Sequence, residues 1–172
     1  KGSLSSFEAG NSAAEGIRRV YPDAQIEVRP LADGGEGTVE ALTLGCAGQL
    51  TTVTVTGPLG NPVSCQYGIV DSTRTAIIEM SGAAGITLVP DTERNPLYTT
   101  TYGVGEVIRD AITKGCRHFI VGIGGSATND GGAGLLQALG VRFLDAREVE
   151  LPPGGAALAR LARIDVGGLA PR

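Results

Sequence analysis

The feature that most constrains this chain is the run Gly122-Ile-Gly-Gly-Ser-Ala-Thr-Asn-Asp-Gly-Gly-Ala-Gly134, set between the apolar stretches Arg117-His-Phe-Ile-Val121 and Leu135-Leu-Gln-Ala-Leu139. An apolar strand passing through glycines into a helix brings backbone N–H groups and the positive helix end to one place, where an anion can sit. Thr128, Asn129 and Asp130 add a hydroxyl, an amide and a carboxylate to that loop. Such a set suits a polyanion and the cation that accompanies it.

The surrounding pattern is that of an α/β protein. Phe7, Gly10, Ala14, Ile17 and Tyr21 recur at helical spacing, with Ser5 or Ser6 as cap and Pro22 as stop. Gln25–Arg29 alternates and predicts a strand. A glycine loop over 31–38 and a short helix to about Leu44 follow. Residues 51–56, 63–70 and 75–80 read as three strands joined by short turns, an antiparallel section within residues 50–90. Val104, Val107, Ile108, Ala111 and Ile112 mark the clearest helix, capped by Thr100 or Thr101 and stopped at Gly115. Phe119–Val121 reads as a buried strand leading into the opening loop, and Val141–Leu144 as another strand, ending at Asp145. A short helix is expected over 156–161. The fold class expected is α/β, a mostly parallel sheet flanked by helices with an antiparallel section in the middle, over one region spanning 1–172.

Composition closes several routes. With 19% charged and 42% apolar residues the chain is not of the disordered class, and a net charge of −4 without a basic stretch argues against a nucleic-acid surface. No apolar run approaches the roughly 20 residues that span a bilayer, and no signal-peptide core opens the chain, so no membrane partner and a cytoplasmic location are expected. Cys46, Cys65 and Cys116 lack metal spacing and read as free buried thiols. His118, the single histidine, sits in an apolar run and reads as structural.

Two further loops carry polar groups. In Asp33-Gly-Gly-Glu-Gly-Thr38, Asp33 or Glu36 could act as a base or hold Mg²⁺ through water; the same carboxylates also suit a helix start. Lys1-Gly-Ser-Leu-Ser5 offers a point charge and hydroxyls to a phosphate, or is a solvated terminus with a serine cap. The opening loop lacks the P-loop lysine. It does contain Gly122-x-Gly124-x-x-Ala127 after a strand, with Asp145 about 20 residues on, the spacing of a dinucleotide fingerprint. That pattern makes an NAD-dependent oxidoreductase an alternative, and a tight strand–helix turn a plainer one.

Taken together, these motifs resemble bacterial glycerate kinases of the glycerate 2-kinase type. The likeness runs through Lys1–Ser5, Leu31–Thr38, Val53–Gly60, Ile78-Glu-Met80, Arg94-Asn-Pro96, Thr99–Gly103 and Gly122–Gly132, in that order. It implies transfer of the γ-phosphoryl group of ATP to D-glycerate with Mg²⁺. On that resemblance Asp33, Asp130 and Lys1 are the expected catalytic residues, one aspartate accepting the substrate proton and Lys1 offsetting charge on the γ-phosphate. Ser3, Gly34, Gly35, Glu36, Gly124, Gly125, Ser126, Thr128 and Asn129 are the expected substrate and nucleotide contacts, and Glu36 with Asp130 the expected metal side. Family members are about twice this length and begin with a strand ahead of the position of Lys1, so the chain reads as a partial member. A non-catalytic, ligand-binding role is the remaining alternative for such a piece.

Overall fold

In a computed structural model of the protein, residues 4–169 are described. Ser5 opens helix α1 (Ser6–Val20) with a reciprocal cap: its hydroxyl accepts from Glu8 N at 3.1 Å while its own N–H donates to the Glu8 carboxylate at 2.7 Å. The expected strand over 25–29 is not one; the segment runs without regular structure. Alternation supplies a strand only where a neighbouring edge accepts its hydrogen bonds, and among the described residues no strand pairs with it. Val28 instead packs on α1 over Gly10, where a Cβ would overlap its side chain.

Helix α2 (Thr38–Gly45) follows Gly37, whose φ of 89° sets the turn into it. Four strands, β1 (Gln49–Thr56), β2 (Pro62–Val70), β3 (Thr75–Glu79) and β4 (His118–Gly122), form one sheet in the order β1-β2-β3-β4. The first two junctions are antiparallel, as the short turns require, and the third, β3 to β4, is parallel. The short helix α3 (Met80–Ala84) and the long α4 (Tyr102–Thr113) provide the crossover between that parallel pair.

Alternate residues of β3 face opposite layers. Ala76 and Ile78 pack with Val104, Val107 and Ala111 of α4, while Ile77 packs with Val39 of α2 and Val70. The sheet is thus sandwiched between α2 and α4, and Glu79, two residues after Ile77, falls on the α2 side. Strand β4 is not the buried strand expected: among the described residues it stands at the end of the sheet, and Ile120 is half-exposed. Helix α5 (Ala133–Ala138) leads to β5 (Arg142–Leu144), which pairs antiparallel with β6 (Arg163–Asp165) in a separate ribbon. The short helix expected over 156–161 is a 3₁₀ segment, Gly155–Arg160.

Cys65 and Cys116 are buried as expected, whereas Cys46, at the exposed end of α2, is not. His118, first residue of β4, is exposed. No helix among the described residues is long and apolar enough to cross a membrane.

Candidate active site

Glu79 and Gly122 are register partners at the carboxyl ends of the two parallel strands, the position where open α/β sheets bind ligands. The loop leaving β4 and the loop over 31–38 meet there. Gly124 N donates to the Gly34 carbonyl at 2.7 Å. A Cβ on Gly122 would stand 2.7 Å from that carbonyl oxygen, and one on Gly124 would stand 2.7 Å from Gly35 Cα. Glycine is required at both positions because backbone lies against backbone.

On the 31–38 side lies a cavity of about 530 Å³ bordered by Glu36, Glu40, Glu79, Gln66, Ser5 and Ser6. Glu79 is buried and fixed: Oε1 accepts from Val39 N, in the first turn of α2, at 2.6 Å, and Oε2 accepts from the Ser81 hydroxyl at 2.9 Å. A carboxylate beside a helix N-terminus is favourably placed. Burial, with the charge of Glu79 adding to it, pushes the neighbouring Cys65 thiol up to about 11. The motif Ile78-Glu-Met80 contains Glu79, yet the residues alone give it no role; the signal is a lone acid closing an otherwise apolar strand. Glu36 is exposed at the cavity. Asp33 is exposed on the same loop, its Oδ1 accepting from Gly35 N at 3.0 Å, and Gly34 N is held by the Thr38 hydroxyl at 3.0 Å.

The β4 loop opens on a second cavity, of about 250 Å³, bordered by Ser126 and Thr128. Their hydroxyls are 2.7 Å apart, and Thr128 N donates to Ser126 Oγ at 3.1 Å. Gly125 has φ of 72°, and Asn129 is exposed, its carbonyl lying against Gly155.

Three expectations need correction here. Asp130 is 1% exposed and lines neither cavity. Its Oδ2 accepts from Thr101 N at 2.9 Å, the Thr101 hydroxyl at 2.9 Å and Gly134 N at 3.2 Å, and its Oδ1 accepts from Gly132 N at 3.0 Å. Four donors converge on one carboxylate that ties α4 to α5, which leaves it badly placed as a base or metal ligand. It occupies the place at the start of α5 where the loop was expected to seat an external anion. For the same reason the loop's amides are largely committed inside the protein: Gly124 to Gly34, Ala127 to Ala84, Thr128 to Ser126, and Gly132 and Gly134 to Asp130. Thr101 stands at the N-cap of α4, but its hydroxyl serves Asp130; Thr100 Oγ1 accepts from Tyr102 N instead. Asp33 also borders neither cavity, so the two aspartates share none. Lys1 and Ser3 lie outside the described residues.

The dinucleotide alternative also loses its geometry. Among the described residues strand β5 pairs antiparallel with β6, and its Leu144 bridges Glu150, also antiparallel, so Asp145 does not close a parallel strand beside β4. Its Oδ1 accepts from Val149 N at 3.0 Å and Arg147 N at 2.8 Å, and those two amides hold the carboxyl below its usual range as the anchor of an exposed turn.

What these elements define is an α/β protein with two glycine-rich loops gathered at the carboxyl ends of a parallel strand pair, one beside a cavity bordered by glutamates and the other beside a cavity bordered by Ser126 and Thr128. The chain belongs to the glycerate kinase family, whose model matches residues 1–172. It is 52% identical over 169 residues to the glycerate kinase of Bacillus subtilis (strain 168), covering 98% of this chain and 44% of that protein. To the glycerate 2-kinase of Escherichia coli (strain K12) it is 49% identical over 172 residues, covering 100% and 45%. A crystal structure from Salmonella typhimurium LT2 that carries the name glycerate kinase 2 superposes with a TM-score of 0.86 at 51% identity, over 98% of this chain and 46% of that one. The chain thus spans about half the length of the relatives it matches.

Proposed function

We propose that the protein carrying this chain transfers the γ-phosphoryl group of ATP to the 2-hydroxyl of D-glycerate, giving 2-phosphoglycerate and ADP, and that it does so in the cytoplasm. One observation carries the reading: the Gly34–Gly124 contact joins an acidic cavity and a hydroxyl-bearing loop at the carboxyl ends of β3 and β4. Phosphoryl transfer can use this pairing, since it depends on positioning and charge neutralisation more than on covalent chemistry. The names of the relatives supply the acceptor and, for the Escherichia coli protein, the position.

The residues fit a nucleotide-borne metal. Among the described residues no three His, Cys, Asp or Glu side chains gather closely enough to cage an ion. Mg²⁺ is usually held by one or two carboxylates, with phosphate and water completing its shell, and Glu36 with Glu79 matches that smaller requirement. MgATP, when bound, supplies the phosphoryl group. Asp33 accepts the proton of the substrate hydroxyl, an effect worth roughly 10²–10⁴-fold. The Ser126–Thr128 hydroxyl pair donates its one remaining O–H to the reactants, with Gly34, Gly35, Gly124, Gly125 and Asn129 shaping the loops around it. Asp130 is a positioning residue that fixes the start of α5. Lys1 and Ser3 keep the phosphate or glycerate contacts that the resemblance implies.

A coupled ADP-release assay with D-glycerate, ATP and Mg²⁺, with the product identified by phosphorus NMR, tests the reading. Glycerate-dependent ADP and 2-phosphoglycerate are expected. Glycerate binding without ADP release would instead assign a ligand-binding role, and binding of neither substrate would remove the kinase reading.

A further inference from the structure

The cavity on the β4 loop has a second wall that the reaction as described leaves unused. Arg94 and Asn95 border it opposite no acidic lining residue, and Ile86, Val89 and Pro96 supply the apolar part. Arg94 NH2 pairs with Asp91 Oδ1 at 2.7 Å, but the Asp91 side chain is 84% exposed and that of Arg94 43%. An exposed pair of this kind holds the guanidinium only weakly, and one contact leaves most of its five N–H donors available. Asn95 Oδ1 accepts from Leu97 N at 3.1 Å, which commits the oxygen to the turn and leaves the amide NH₂ to donate elsewhere.

A count of protons settles the facing wall. Ser126 and Thr128 share a single hydrogen bond between their hydroxyls, whichever of the two is donor. The hydroxyl that accepts keeps its own proton, so one O–H remains for an external acceptor. The residues bordering this cavity of about 250 Å³ therefore bring a guanidinium, an amide NH₂ and a hydroxyl that can each donate. The larger cavity is the reverse, bordered by three glutamates. An arginine with two further donors, on a wall that is otherwise mostly apolar, fits a small anion bearing paired oxygens, the geometry that arginine recognises in carboxylates and phosphates.

We infer that Arg94, with Asn95 and the Ser126–Thr128 hydroxyl pair, forms an anion subsite that seats a carboxylate or phosphate oxygen pair of a reactant and sets its orientation. This rests on the kinase reading for the identity of the reactants, and on the cavity alone for the preference for an anion.

Calorimetric titration of the full-length protein with D-glycerate, ADP and inorganic phosphate separately tests it, in the wild type and in R94Q, R94K and D91N, with circular dichroism to verify that each variant is folded. R94Q is expected to weaken D-glycerate binding at least tenfold while ADP and phosphate binding hold, and R94K to fall between because it keeps charge without the fork. Weakened phosphate or ADP binding with glycerate unchanged also supports the subsite and assigns it to the phosphoryl group. D91N, which breaks the ion pair and keeps Arg94, should bind as the wild type does. Unchanged binding of all three ligands in R94Q, or equal losses in D91N and R94Q, overturns the subsite while the kinase reading stands. A wild type that binds none of the three overturns both.

Discussion

The amide of Gly124 donates to the carbonyl of Gly34 across 2.7 Å, and that one bond joins the two loops of the candidate site. Loops some 90 residues apart in sequence meet backbone to backbone, with no side chain between them to absorb a change.

Gly124→Ala would place a methyl 2.7 Å from Gly35 Cα and 2.9 Å from the Gly34 oxygen. Neither neighbour is a flexible side chain, so the strain falls on the seam. Overpacking of this kind costs about 1–3 kcal/mol, read as a lower urea midpoint. Gly16→Ala is the control. It lies inside α1 with nothing within 4 Å of its added methyl, and is expected to stabilise by about 0.5–1 kcal/mol.

The two aspartates of the motifs should separate cleanly. Asp130→Ala strips the acceptor from the amides of Thr101, Gly132 and Gly134. Each buried donor left unsatisfied costs about 1–3 kcal/mol, so the midpoint should fall and activity should fall with it. Asp33→Asn keeps an oxygen for the Gly35 amide, so the midpoint should fall less than in Asp130→Ala while kcat drops roughly 10²–10⁴-fold. Urea melts beside ADP-release rates decide the matter; a stable, inactive Asp130 variant would return that residue to the chemistry.

Glu79→Gln tests charge apart from packing. The amide oxygen can still accept from Val39 N, and the NH₂ can donate to Ser81 Oγ, so the fold should survive. The negative charge is lost. Apparent Mg²⁺ affinity in the ADP-release assay should fall about tenfold or more if Glu79 serves the cation side (tenfold being about 1.4 kcal/mol), and should stay put if it only caps α2.

Acid should loosen the α4 face of the sheet through Asp110. Burial alone would raise this carboxyl, but hydrogen bonds from Lys114 at 2.7 Å and Tyr67 at 2.6 Å, with the Lys114 charge, hold it below its usual value. A depressed folded-state pKa means that the ionised group's contribution is complete above the unfolded value of about 4 and disappears as pH falls through the lower folded value. Urea midpoints from pH 7 down to 2 should show this loss, and Asp110→Asn should flatten that part of the curve while lowering the midpoint at pH 7.

Local chemistry made much of this protein legible in its sequence. The Ser5–Glu8 cap, the β-branched alternation of β1, the apolar stripe of α4 and the stop at Gly115, where φ is 92°, each follow from neighbours a few residues apart. The three-strand antiparallel section follows from turns too short to cross over. The shared order of motifs carried the family as well, since many spaced matches constrain more than one.

What tertiary structure decided is which of those motifs face open surface and which face each other. Asp33 and Asp130 stand in equally glycine-rich loops, yet one is exposed and the other buried among four donors from α4 and α5. Residues 25–29 had the right alternation, but no strand among the described residues pairs with them, and Asp145 had the right spacing but its strand paired elsewhere. Glu79 gained its place only when β3 brought it beside the first turn of α2. Hydrogen-bond acceptors are claimed by whichever donors the fold brings nearest, and that proximity is a property of distant segments meeting, which no local run of residues contains.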